Sequence, residues 1–77
     1  MKALQLYTRP GCHLCENLLE ELLPMIRGQA SLTEINIDLD MSLRQQFDTR
    51  VPVLCSADTV ICEAFLDTAA VRAFLGD

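Results

Sequence analysis

The hydrophobic period changes once between Met1 and Ile26, and that change fixes how the chain begins to fold. Leu4 and Leu6 alternate with the polar Gln5, the two-residue period of a strand at about residues 2–7. Thr8-Arg9-Pro10-Gly11 ends the alternation, because Pro and Gly punctuate. From His13 the period becomes helical: Leu18, Leu19, Leu22, Leu23 and Ile26 form one apolar face, and Glu16, Asn17, Glu20 and Glu21 the other. Pro24 lacks a backbone donor, so the last turn is expected to kink or stop early. Gly28 is a natural stop.

The pattern then repeats in shorter units. Ile35, Ile37 and Leu39 alternate with Glu34, Asn36 and Asp38, which predicts a second strand at about 32–38. Asp40 or Ser42 can cap a short helix carrying Leu43 and Phe47 at i, i+4 spacing. After Val51-Pro52, the runs Val53-Leu54-Cys55 and Thr59-Val60-Ile61-Cys62 flank Ser56-Ala57-Asp58 and predict an antiparallel hairpin. Asp67 is placed to cap a last helix, with Leu66 stapling onto Val71, and Phe74 and Leu75 completing its buried face. The fold class is therefore α/β, in the order β-α-β-α-β-β-α: a four-stranded mixed sheet covered by three helices. A helix long enough to cross over separates the first two strands, so they are expected to be parallel, with a right-handed connection.

At 77 residues the chain has room for a single domain over 1–77. A hydrophobic share of 51% with 22% charged residues favours a packed chain over a disordered one. The net charge of −5 serves solubility, and without a stripe of Lys and Arg no nucleic-acid partner is expected. The opening residues lack the apolar core of a signal peptide, and no run is long enough to span a membrane. A cytoplasmic monomer without a membrane partner is the expectation. Four cysteines in that compartment should rest as thiols, so a pair that does cross-link there is catalytic or transient.

Cys12-His13-Leu14-Cys15 lies where the first strand hands over to the first helix. The i, i+3 spacing puts both sulfurs on one side of the first helical turn, close enough to bridge. The first sulfur meets unpaired helix N–H groups and the positive end of the helix dipole, which favour an anion. The thiolate is the nucleophile of disulfide exchange, so this placement suits redox chemistry. Arg9, three residues earlier, is a source of added positive charge. The same spacing also fits two buried thiols, or half of a zinc site drawing on Cys55, Cys62 and His13, so no metal is assigned.

Leu6-Tyr7-Thr8-Arg9-Pro10-Gly11-Cys12-His13-Leu14-Cys15 resembles the active-site segment of glutaredoxins, and more closely that of the small glutaredoxin-like proteins of the thioredoxin superfamily. Arg50-Val51-Pro52-Val53-Leu54 resembles their second hallmark, and the likeness runs through essentially the whole chain. It implies a cis Val51–Pro52 bond packed beside the dithiol, with the preceding backbone pairing with substrate. There are departures. His13 and Leu14 stand where typical glutaredoxins carry Pro and an aromatic residue. Ile61-Cys62-Glu63-Ala64-Phe65-Leu66-Asp67 lacks the Gly-Gly and following acidic residue that hold glutathione's carboxylate, and an inward Glu63 would repel one. Arg9 and Arg50 offer charge to glutathione or to an acidic protein segment.

The remaining candidates have modulating or structural readings. His13 either tunes the Cys12 thiolate or points into solvent. Tyr7 is expected to pack at the end of the first strand with its hydroxyl near the site. Cys55 and Cys62 read as small buried hydrophobes, and a second disulfide would need them on one face. The expected activity is that of a thiol–disulfide oxidoreductase: Cys12 attacks, Cys15 resolves, and Arg9, Arg50, Val51 and Pro52 bind substrate. The partners are a protein or small-molecule disulfide and an electron donor, either glutathione or a reductase of the thioredoxin-reductase kind; no bound cofactor is implied. Two rivals remain: an iron–sulfur or metal-binding module of the same family, and a non-catalytic interaction domain on the same fold.

Overall fold

A computed structural model describes residues 2–76. The first strand, β1, spans Lys2–Thr8, and helix α1 spans His13–Ile26. Strand β2 (Ala30–Asn36) leads through a single 3-10 turn, Ile37–Leu39, into helix α2 (Met41–Phe47). Strands β3 (Val53–Ser56) and β4 (Thr59–Glu63) form the hairpin, and helix α3 spans Thr68–Leu75. The strands lie in the order β2-β1-β3-β4. β1 runs parallel to β2, and the β1–β3 and β3–β4 pairings are antiparallel. The element order and the mixed four-stranded sheet are those expected from the hydrophobic periods.

Alternation along β1 and β3 decides which helices cover which face. Leu4, Leu6 and Leu54 pack with Leu18, Leu22 and Ile26 of α1 and Val71 of α3. The intervening positions, Tyr7, Val53 and Cys55, pack with Phe47 and Leu43 of α2 and with Ile37. Because Leu6 pairs with Leu54 and Tyr7 with Val53, each cross-strand pair belongs to one face. The sheet is thus a middle layer, with α1 and α3 on one side and α2 on the other.

Several boundaries depart from expectation for local reasons. β2 begins and ends two residues earlier than 32–38. The Asn36 side chain accepts the Asp38 N–H at 2.9 Å and turns the backbone, and Asn36 is already opposite Thr8, the last residue of β1. Leu39 consequently does not face a core and is 84% exposed. Pro24 does not stop α1, because Ile26 is buried in the main core and holds the last turn in place. Gly28 follows at φ +76°, the left-handed conformation that a stop requires. Leu23, placed on the apolar face by the sequence, is 45% exposed. Asp40, rather than Ser42, caps α2, accepting from Ser42 and Leu43 N–H. Asp67 caps α3 as expected, accepting from Ala70 N–H at 3.0 Å.

Candidate active site

β1 ends at Thr8, and the loop Arg9-Pro10-Gly11 delivers Cys12 to the N-cap of α1 in an extended conformation (φ −95°, ψ 105°). Cys12 thereby takes the part usually played by Ser or Asp: its Sγ accepts the Cys15 N–H at 3.1 Å, while its carbonyl accepts the Glu16 N–H. The Cα atoms of Cys12 and Cys15 are 5.2 Å apart and their sulfurs are within disulfide-bonding distance. Cys15 is only 4% exposed, whereas Cys12 is half-buried. An incoming group therefore meets Cys12, with Cys15 behind it.

A cleft of about 350 Å³ opens beside the pair. Cys12 and Cys15 line it together with Glu16 and Leu19 of α1, and Glu34 and Asn36 enter from β2. Arg9 lines it too, but its charge is taken. It donates to Asp38 at 2.8 Å and to Asp48 at 2.6 Å, and also to the Asp48 carbonyl at 3.1 Å. Those hydrogen bonds, Asp48 first and Asp38 second, raise the Arg9 pKa further. Arg44 approaches the same Asp38 carboxylate at 3.7 Å. Arg9 is therefore a strut joining the active-site loop to the segments at either end of α2, with its charge compensated before any reaches Cys12.

The second hallmark sits at the same end of the sheet. Val51–Pro52 is cis, Pro52 is buried and Val51 half-buried. Pro52 directly precedes Val53, which pairs with Tyr7, so the cis bond lies at the end of the sheet where β1 runs out into the active-site loop. The Pro52 carbonyl accepts the Ala64 N–H at 2.8 Å, tying this turn to the end of β4. Arg50 lies over the Phe47 ring, 5.1 Å from its centroid, and is ion-paired with Glu63. Arg50 Nε donates to Glu63 Oε1 at 3.1 Å, and this pairing holds the Glu63 carboxyl below the usual range. Glu63 thus stays ionised, and its charge and that of Arg50 compensate each other.

Two residues do not join the dithiol. Tyr7 stacks on Phe47, centroids 4.5 Å apart, on the α2 face of the sheet, and it is not among the cleft residues. Tyr7 instead lines a different cavity, shared with Arg50 and Cys55. The His13 side chain is 93% exposed and lies 3.7 Å from Glu16, so the solvent-facing reading holds. Cys55 and Cys62 are free thiols on opposite faces of the sheet, Cys55 with the α2 cluster and Cys62 with the α1–α3 cluster, which rules out a disulfide between them. Burial raises both thiol pKa values.

Glu16, Leu19, Glu34 and Asn36, and the carboxylates that hold Arg9, were not singled out from the sequence. Glu34 and Asn36 reach the cleft through the parallel register that pairs them with Leu6 and Thr8. Local spacing carries no trace of that. On the other side of α1 a notch of about 160 Å³ is bounded by Leu14, Ala64 and the 70%-exposed Phe65. Among the described residues no group of three or more His, Cys, Asp or Glu side chains is placed to hold a metal ion, and no helix is long and apolar enough to cross a membrane.

Fold and site together define a thioredoxin-fold domain with a cysteine pair at the first turn of its first helix. Residues 3–76 match the family described as Glutaredoxin-like domain (DUF836), and the chain belongs to that family. The chain resembles the crystal structure of a structural-genomics target, XcR50 from X. campestris: 33% identity, 94% of this chain and 93% of that one covered, TM-score 0.72. The solution structure of XcR50 gives 34% identity, 95% and 91% coverage, and a TM-score of 0.71. A malarial protein at 16% identity, covering 95% of this chain and 91% of its own, shares the fold with a TM-score of 0.57. No functionally curated protein matches the chain.

Proposed function

We propose that this protein is a thiol–disulfide oxidoreductase working through Cys12 and Cys15. The observation that carries the reading is the asymmetry of the pair: Cys12 caps the helix with its sulfur on the Cys15 N–H, and Cys15 is buried behind it. An N–H donor and the helix dipole favour the Cys12 thiolate over the thiol. That thiolate attacks one sulfur of a substrate disulfide, the substrate S–S bond breaks, and one substrate thiolate leaves. Cys15 then loses its proton and attacks the Cys12 sulfur, releasing the second substrate thiol and closing the Cys12–Cys15 disulfide. Two electrons pass from the pair to the substrate. An external reductant, either glutathione or a reductase of the thioredoxin-reductase kind, returns them. Val51 and Pro52, at the same end of the sheet, supply backbone for an extended substrate segment. The protein acts as a cytoplasmic monomer, in a compartment where thiols stay reduced.

The test is the pH dependence of Cys12 alkylation in the reduced protein, with the modified thiol mapped by mass spectrometry. Reaction as a thiolate well below the free-thiol pKa of about 8.5 is the expected result. Titration like a free thiol, or inertness, would overturn the reading. Cys12→Ser is expected to abolish disulfide reduction, whereas Cys15→Ser still attacks and accumulates a mixed disulfide on Cys12.

A further inference from the structure

Both guanidiniums at the dithiol end of the fold are already ion-paired within the protein. Arg9 is held by Asp38 and Asp48, and Arg50 by Glu63. Arg9 is the one cation among the described residues lining the cleft beside Cys12, and the lining adds the carboxylates of Glu16 and Glu34. Glu16, with the exposed His13 ring 3.7 Å away, and Glu34 line the cleft, while Asp38 and Asp48 stand outside its lining and compensate Arg9. Leu19 supplies an apolar wall, and with Arg9 compensated by Asp38 and Asp48 a low-dielectric wall strengthens the field of the two lining carboxylates in the cleft.

A disulfide that reaches Cys12 must bring its flanking groups past this cleft. We propose that the site selects by charge: the preferred substrate is a disulfide flanked by ammonium or guanidinium groups, and anionic disulfides, glutathione disulfide included, are disfavoured. This rests on the redox reading above. Glu16 and Glu34 set the preference by attracting a flanking cation and repelling a carboxylate, while the Arg50–Glu63 pair withholds the second guanidinium from an anion.

The test uses three small disulfides of similar size: cystamine, a dication; hydroxyethyl disulfide, neutral; and dithiodipropionate, a dianion. The fully reduced protein is mixed with each, and the rate of Cys12–Cys15 closure is followed and divided by the rate with dithiothreitol, which removes the intrinsic reactivity of each disulfide. Cystamine is expected to exceed dithiodipropionate on the order of tenfold at low salt. The ratio should shrink in about 1 M salt, where the Debye length is about 3 Å. Glutathione disulfide is expected to fall with the dianion. Glu16→Gln combined with Glu34→Gln, both at exposed positions, should bring the normalised ratio towards unity. A normalised wild-type ratio of unity, or one unmoved by salt, overturns the charge selection while leaving the redox reading standing. Failure of all three disulfides, the neutral one included, overturns the redox reading and this proposal with it. Disulfide-linked peptides with Lys or Glu beside the cysteine assign the source. A gain with the Lys peptide points to a basic polypeptide, and a gain confined to cystamine points to a small amine disulfide.

Discussion

Each of the four cysteines meets a different environment. Cys12 is half-buried and hydrogen-bonded at a helix end, Cys15 is buried next to it, and Cys55 and Cys62 sit on opposite faces of the sheet with pKa values raised by burial. In the reduced protein at neutral pH, alkylation is expected at Cys12 first, with Cys55 and Cys62 labelled only slowly, and peptide mapping of a time course reads this directly. The raised thiol pKa values also fix a sign. The unfolded chain loses those protons first, so both thiols lower stability as pH rises above about 8.5. The combined Cys55→Ala and Cys62→Ala variant should show a flatter alkaline limb in thermal melts. Glu63 acts at the other end of the scale. Its pKa is depressed by Arg50, so its contribution is present above about pH 4.3 and lost as pH falls through the lower folded value. The pair is exposed, so the effect is small, and Glu63→Gln should remove it from the acid limb.

At the scale of single elements, caps and a proline decide the margins. Asp67 satisfies an orphan N–H at the start of α3. Asp67→Ala is expected to cost about 1 kcal/mol, a fall of about 4–8 °C in the thermal midpoint of a domain this size. Pro24 sits inside α1, where it removes the hydrogen bond to the Glu20 carbonyl. Pro24→Ala should therefore raise the midpoint by a similar amount, with no change in the cleft a turn and a half away. If instead the midpoint falls, Pro24 is stabilising chiefly by restricting the unfolded chain.

Across the whole molecule, the sheet divides two cores. Leu54 on β3 belongs to the core formed with α1 and α3 and is fully buried. A chain of this length has on the order of 4–12 kcal/mol of stability. Leu54→Ala is expected to take away about 3 kcal/mol, lowering the midpoint on the order of 15 °C in a single cooperative transition. The two cores share β1 and β3, so separate transitions for them would contradict this architecture. Arg9 adds a link at the surface between the active-site loop and Asp38 and Asp48 on either side of α2.

Local chemistry alone was enough for the element order, the cap at Asp67, and the placement of Cys12 at a helix start, because hydrophobic period, capping preference and breakers act within a few residues; between Asp40 and Ser42 as the cap of α2 only the structure decided. The cis Val51–Pro52 bond was legible only through family likeness. What lay beyond reach depended on register. A one-residue bulge in β4 pairs Leu54 with Cys62 but Cys55 with Val60, and so turns Cys62 to the face away from Cys55. An unbulged hairpin would have set both on one face. The partners of Arg9, Arg50 and Tyr7 were likewise decided by tertiary structure. A side chain's charge is written in the sequence, but whether that charge is free for a ligand depends on carboxylates brought to it from 13 to 39 positions away.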